Sequence, residues 1–288
     1  MSATYSKEYD IYTGLLKAFS LPTLENSGVN FSCNYEHSKF ATLKNTYPIE
    51  AIAGDNDDFS KAVNLLQWVS THNYHKGDYS GSIAQNALDL LNHSYDKDVS
   101  CGINCVGLST VLSECLLSIG IKARKVFIMP CSPYDGDNHV VVHAFIKELN
   151  KWVMFDPTLN AYISNEQGEY LSLLELRKHM GNQQPIFFNK EAKYNDEVWT
   201  EDSEKENTVY FAKNLFYFQS SEICTFNDES PSNRFITLCP QGYDPKYVNL
   251  SNIEYRIKKY GDSTHMQNWK EGAEKEIYVF CSVVDFEN

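Results

Sequence analysis

NCVGLSTVLSECLLSIG (residues 104–120) is the stretch whose reading decides the fold. Leu108, Val111, Leu112, Cys115, Leu116 and Ile119 fall at i, i+3, i+4, i+7, i+8 and i+11, the spacing of an α-helix with an apolar face. Asn104 is a competent N-cap, and Gly120 supplies the stop. The helix therefore opens at Cys105, which precedes Leu108 by one turn, so the thiol projects toward the buried side. A cysteine in the first turn feels the positive end of the helix dipole, which lowers its pKa and enriches the thiolate. Its backbone N–H is a candidate donor to a developing oxyanion, with Gln67 and Asn104 as candidate side-chain partners.

Downstream of this helix the period changes. Ala123–Met129 reads as a strand, and a Cys-Ser-Pro-Tyr-Asp-Gly-Asp loop (131–137) follows it. His139–Ile146 and Trp152–Phe155 read as two further strands, with 148–151 as the turn and Asp156-Pro157 as the end. A turn centred between Leu149 and Asn150 places opposite each other residues whose numbers add to 299, and His143 and Asp156 meet that condition. An imidazole and a carboxylate paired in this way can hydrogen-bond, so Cys105, His143 and Asp156 form a candidate nucleophile, base and orienting group. The pairing depends on the turn: a shift of one residue undoes it, and Leu-Asn is not a favoured two-residue turn. Cys101 is the rival nucleophile and His139 the rival base, the latter facing Asn160 in the same register.

Upstream, Ile11, Leu15, Leu16 and Phe19 make a short helical pattern that Pro22 ends, followed by a polar Asn- and Ser-rich stretch. Asp57 and Asp58 precede a helix carrying Ala62, Leu65, Leu66 and Val69, and these acids suit a helix start better than a cation site. A second helix runs through Ala84, Ala87, Leu88 and Leu91. His72, His75 and His93 scatter over loops and helix ends and read as exposed or structural. Beyond a helix at Ser172, strand patterns recur at Val209–Phe211, Leu215–Phe218, Phe235–Leu238 and Ile277–Val284. The expected organisation is an N-terminal extension over 1–55, a core over 56–185 and a β-rich C-terminal subdomain over 186–288 packed on it.

Several of these motifs together resemble a family. Gly-Ile-Asn-Cys105, followed by an apolar helix ending Ser-Ile-Gly-Ile-Lys-Ala-Arg124, is similar to the cysteine segment of the transglutaminase-like superfamily. His143-Ala-Phe-Ile and Lys151-Trp-Val-Met-Phe-Asp156-Pro-Thr resemble its histidine and aspartate segments, and Gln67-Trp68-Val69 resembles the preceding helix, over roughly residues 59–160. Lys122 stands where a proline is frequent, Phe145 where a tryptophan is frequent, and the Gly102–Cys105 interval is one residue longer than is common. The resemblance implies an α+β fold with a papain-like transglutaminase core, the cysteine helix packed on an antiparallel sheet. It also implies a cysteine-dependent amide-processing enzyme, a peptidase or amidase, acting through a thioester on a protein or peptide substrate. The alternatives are a protein transglutaminase, which passes a glutamine-side-chain acyl group to an amine, and an inactive binding scaffold.

Bulk properties narrow the field further. A formal charge of −13 over 288 residues disfavours capture of nucleic acid or anionic lipid. No run approaches the roughly 20 apolar residues of a membrane span. Met1–Leu21 carries Lys7, Glu8 and Asp10 where a secretory leader needs an apolar run, so the expected location is cytoplasmic. The eight cysteines include no close C-x-x-C pair, which argues against structural zinc, and no cofactor is expected.

Overall fold

The structure is a computed structural model and describes residues 6–23, 27–135, 137–230 and 233–288. Met1–Tyr5, at the head of the stretch read for a leader, and Gly136 of the 131–137 loop lie outside the described residues. Side-chain caps set the N-terminal helices. Ser6 accepts from the Tyr9 N–H at 3.3 Å to open α1 (Lys7–Ala18). A two-residue strand, β1 (Ser32–Cys33), and two helices, α2 (Ser38–Thr46) and α3 (Ile49–Ala53), occupy the polar stretch where the sequence showed no element. In α2 only Phe40 and Leu43 are buried, too few apolar positions to make a visible period. Asp57 caps α4 (Asp58–His72), Asn86 caps α5 (Ala87–Ser94), and Asn104 caps α6 (Cys105–Ser118) by accepting from Gly107 N–H at 3.0 Å.

α6 is buried on every side, not on one face. Every residue from Gly107 to Ser118 is buried, because α2, α4 and α5 surround the helix that also packs on the sheet. Its polar residues are satisfied in place: Ser109 Oγ donates to Val140 O at 2.9 Å, and Glu114 accepts from the N–H groups of Ala87 and Asn227, each at 2.8 Å.

Strands β2 (Ala123–Met129), β3 (His139–Ile146), β4 (Lys151–Asp156) and β5 (Ala161–Ser164) follow as an antiparallel meander. Helix α7 (Leu173–Gly181) starts at a Ser172–Glu175 capping box. Next come β6 (Phe187–Phe188) and the small hairpin of β7 (Lys193–Tyr194) and β8 (Glu197–Val198). Helix α8 (Glu201–Asn214) takes the place of the expected strand at 209–211. Its buried Thr208, Phe211 and Ala212 recur at helical spacing, and the Thr200 capping box starts it.

The C-terminal part is correspondingly less β-rich than the sequence suggested. Strands β9 (Tyr217–Ser221), β10 (Ile223–Cys224) and β11 (Phe235–Leu238) are followed by α9 (Pro245–Tyr260) and α10 (Thr264–Lys275). Of the strand expected over 277–284 only β12 (Val279–Phe280) forms, because Ser282 opens a last helix, α11 (Val283–Glu287).

The sheet order is β12-β11-β9-β2-β3-β4-β5-β6, antiparallel apart from the β11·β12 pair, so the C-terminal strands extend the same sheet that carries β3 and β4. The fold is mixed α+β. On one face Val142, Ala144, Val153 and Phe155 pack with Leu108, Val111 and Leu112 of α6. On the other, Val126, Ile128, Val141 and Met154 pack with Leu16, Leu176, Phe211 and Phe286. No helix of the described residues is long and apolar enough to cross a membrane.

Candidate active site

The hairpin register decides which histidine meets the aspartate. Lys147–Leu149 form a single 3-10 turn and Asn150 takes a left-handed conformation (φ 49°), so the loop closes on an Ile146–Lys151 pair. The centre lies one position earlier than the sequence suggested. His143 therefore faces Met154, and Asp156 falls level with Val141, on the same face as His139 and His143 and between them.

Asp156 bonds to His139. Its Oδ2 lies 2.7 Å from His139 Nε2, and both side chains are buried. Its other oxygen accepts from the N–H groups of Thr158 at 2.9 Å and Leu159 at 3.3 Å, contacts supplied by the turn after β4. With Nε2 engaged, Nδ1 of His139 is the ring nitrogen left for Cys105 at the start of α6. The Ser109–Val140 hydrogen bond fixes that end of α6 against the beginning of β3.

His143 is a correction to the sequence reading. It is fully buried beyond Val141, its ring stacked on Trp152 (centroids 4.8 Å, 23°) and on Phe286 (6.0 Å, 24°). Arg124 lies across the strand pair with its guanidinium 3.4 Å from His143 Nδ1. Burial, then the charges of Arg124 and Lys151, push the imidazole pKa well below its ordinary value. A neutral ring on the Arg124 side of the sheet has neither the place nor the proton for acid–base work at Cys105.

Electrostatics at the Cys105 end run the other way. Burial opposes a charged His139, but the Asp156 carboxylate and the Cys105 sulfur outweigh it and raise the imidazole pKa to about 10. Burial likewise opposes a Cys105 thiolate, yet hydrogen bonding and charge from His139 and His75 bring the thiol down to about 6. Near neutral pH the resting pair is thiolate and imidazolium.

Cys105 and His139 open into a pocket of about 450 Å³ also lined by His75, Asn138, Thr158, Tyr194 and Tyr210. Tyr210 of α8 sets its ring edge-on to His139 (5.5 Å, 63°), and its hydroxyl donates to Asn138 O at 3.1 Å. Thr158 is 6% exposed, and its buried hydroxyl has no protein partner. The sequence reading set His75 aside as exposed or structural and did not single out Tyr210. His75 carried no signal there, because its approach to Cys105 is a tertiary event.

The remaining residues weighed for the site lie elsewhere or serve other ends. Asn160 adopts φ 47° and donates its side-chain amide to Glu191 O at 2.9 Å. Gln67 is exposed and lines a separate cleft with Trp68 and His72. Asn104 spends its side-chain oxygen on the α6 cap. Cys101 precedes the helix in a 3-10 turn (Val99–Cys101), and His72 pairs with Asp96 at 2.6 Å. Among the described residues no group of three or more His, Cys, Asp or Glu is placed to hold a metal ion.

Residues 46–157 match the family model of the transglutaminase-like superfamily. No curated protein and no solved structure gave a match. The matched segment ends at Pro157, whereas Thr158, Tyr194 and Tyr210 of the pocket follow it, so the pocket is completed by chain outside the matched region.

Proposed function

We propose that the protein is a cysteine-dependent amide-processing enzyme, a peptidase or amidase, that acts through a thioester on Cys105. One observation carries this reading: Cys105, His139 and Asp156 stand in sequence of contact at an open pocket, with the thiol held at about 6 and the imidazole at about 10. A helix bearing the thiol and an antiparallel sheet bearing the imidazole and carboxylate support this reading.

The reaction follows from those charges. The Cys105 sulfur bonds to the carbonyl carbon of the substrate amide while the C=O π pair moves onto oxygen. Collapse of that intermediate expels the amine, which takes its proton from His139, and leaves a thioester. Neutral His139 then draws a proton from water as the water oxygen attacks, and the thiolate departs, restoring the imidazolium. Asp156 holds the ring orientation throughout and stabilises its charged form.

Mass spectrometry of peptide mixtures incubated with the protein and a primary amine tests the reading. Hydrolysed peptides, abolished by Cys105→Ala, are the expected result. Peptide–amine adducts instead would make the protein a transglutaminase. A Cys105 thiol no more reactive toward iodoacetamide at pH 6 than an ordinary thiol would leave a binding scaffold.

A further inference from the structure

His75 is fixed beside Cys105 from three directions. Lys76 N–H donates to Ile103 O at 2.9 Å and Ile103 N–H donates to Tyr74 O at 3.0 Å, so the 74–76 segment runs alongside the approach to Cys105. Asn195 grips the same residue from the β7–β8 turn: its Oδ1 accepts from His75 N–H at 2.7 Å and its Nδ2 donates to His75 O at 3.3 Å. The ring itself is set by Tyr194, whose hydroxyl lies 2.9 Å from His75 Nδ1 and whose ring packs edge-on at 5.4 Å. Nε2 is then the nitrogen free to face the pocket it shares with Cys105.

Burial, aided by Glu197, raises the Tyr194 phenol above its ordinary pKa, so it keeps the proton that it can donate to Nδ1. With that donation the ring presents its N–H at Nε2, toward the sulfur. It is a hydrogen-bond donor there, complementary to His139, whose proton goes to the leaving group. The first turn of α6 brings the Cys105 N–H to this pocket; Gln67 lines a separate cleft, and Asn104, which also lines the pocket, gives its side-chain oxygen to the α6 cap.

We infer that His75 is a catalytic residue that donates its Nε2–H to the Cys105 thiolate at rest and to the substrate oxygen as it becomes an oxyanion, completing with the Cys105 N–H an oxyanion hole. This rests on the thioester reading above. Tyr194 is its positioning residue.

Two probes separate the role from mere structure. p-Nitrophenyl acetate acylates the sulfur: an S–C bond forms, the C–O bond breaks, nitrophenolate leaves, and the carbonyl oxygen carries charge in between. Iodoacetamide alkylates the same sulfur at a saturated carbon with loss of iodide, and no oxyanion forms. At pH 9.5, where thiolate is abundant in every variant, His75→Ala should slow the nitrophenolate burst about 10²-fold while alkylation stays within about threefold. His75→Gln, which keeps an N–H donor, should recover most of the burst, and Tyr194→Phe should fall between. Equal loss in both reactions, or no rescue by glutamine, overturns the inference. A nitrophenolate burst that survives Cys105→Ala would overturn the thioester reading instead.

Discussion

At the scale of single residues, two histidines on one strand face have opposite electrostatic fates. His139 is raised to about 10 by Asp156 and Cys105, whereas His143 is driven down by burial and Arg124. His139→Ala should therefore cut peptide hydrolysis at least 10²-fold, the range general acid–base groups supply. His143→Ala should leave turnover within a few-fold and instead cost about 1–3 kcal/mol, as expected for emptying a buried, stacked position. Turnover and urea denaturation measured on both variants check the assignment. Alkylation of Cys105 should rise with pH through about 6, where the folded thiol titrates, and hold a plateau above it. Turnover should rise with the same limb and fall as His139 loses its proton near 10, giving a bell that alkylation lacks. In His139→Ala the alkylation limb should move upward, since the imidazolium that favours the thiolate is gone. The positions of Cys105 and Asp156 were legible in the sequence because local signals mark them: a cap before Cys105, a strand end at Asp156. The histidine that Asp156 meets was not, because the choice between His139 and His143 hangs on one residue of turn register that Leu149-Asn150 does not announce.

Secondary-structure elements matter here chiefly through how closely they approach. The strand boundaries of β2 and β3 and the cap of α6 follow from period and capping, which act over a few residues and are visible in any window. What brings His75 to Cys105 is invisible in that way, since it needs the 74–76 segment laid against residues 102–103. Gly102 permits it. A Cβ there would stand 2.8 Å from Lys76 Cβ and 2.9 Å from the Tyr74 carbonyl oxygen, and backbone cannot yield as a flexible side chain does. Gly102→Ala should cost about 1–3 kcal/mol by overpacking and push the 74–76 segment away. The thiol pKa should then rise from about 6, because one of its two imidazole partners retreats. Urea denaturation and the pH dependence of alkylation report the two effects separately, and an unchanged thiol pKa would show that Gly102 does not set the His75 position. The 209–211 segment illustrates the converse failure. Val209-Tyr-Phe211 is a strong strand pattern, yet the Thr200 capping box and burial at helical spacing win, and the result places Tyr210 against His139.

The molecule as a whole divides its sheet between chemistry and structure. The Cys105 pocket lies where α6 meets the start of β3, while further along that strand a closed aromatic cage surrounds Arg124. There the guanidinium lies 4.6 Å from the Phe31 ring centroid, 4.3 Å from Trp152 and 4.1 Å from Phe286, and it donates to Phe286 O. Phe286 belongs to α11, and Trp152 Nε1 donates to Glu287 O at 2.9 Å, so residues from both ends of the described chain seal the cage. Nothing in the 104–157 motifs announces this, because it joins Phe31, Arg124, Trp152 and Phe286 across the length of the sequence. Phe286→Ala removes a fully buried ring that also stacks on His143 and Phe218, and it opens water access to a cation that burial has lowered to about 10. The expected cost is about 3–5 kcal/mol, the range for a large ring lost from a core. Cys105, whose partners are His139 and His75, should still titrate at about 6 in the folded variant. Urea denaturation should therefore show the large loss while alkylation of the native protein shows none. A thiol pKa that moved with Phe286 would mean the cage and the catalytic end of β3 are energetically one unit.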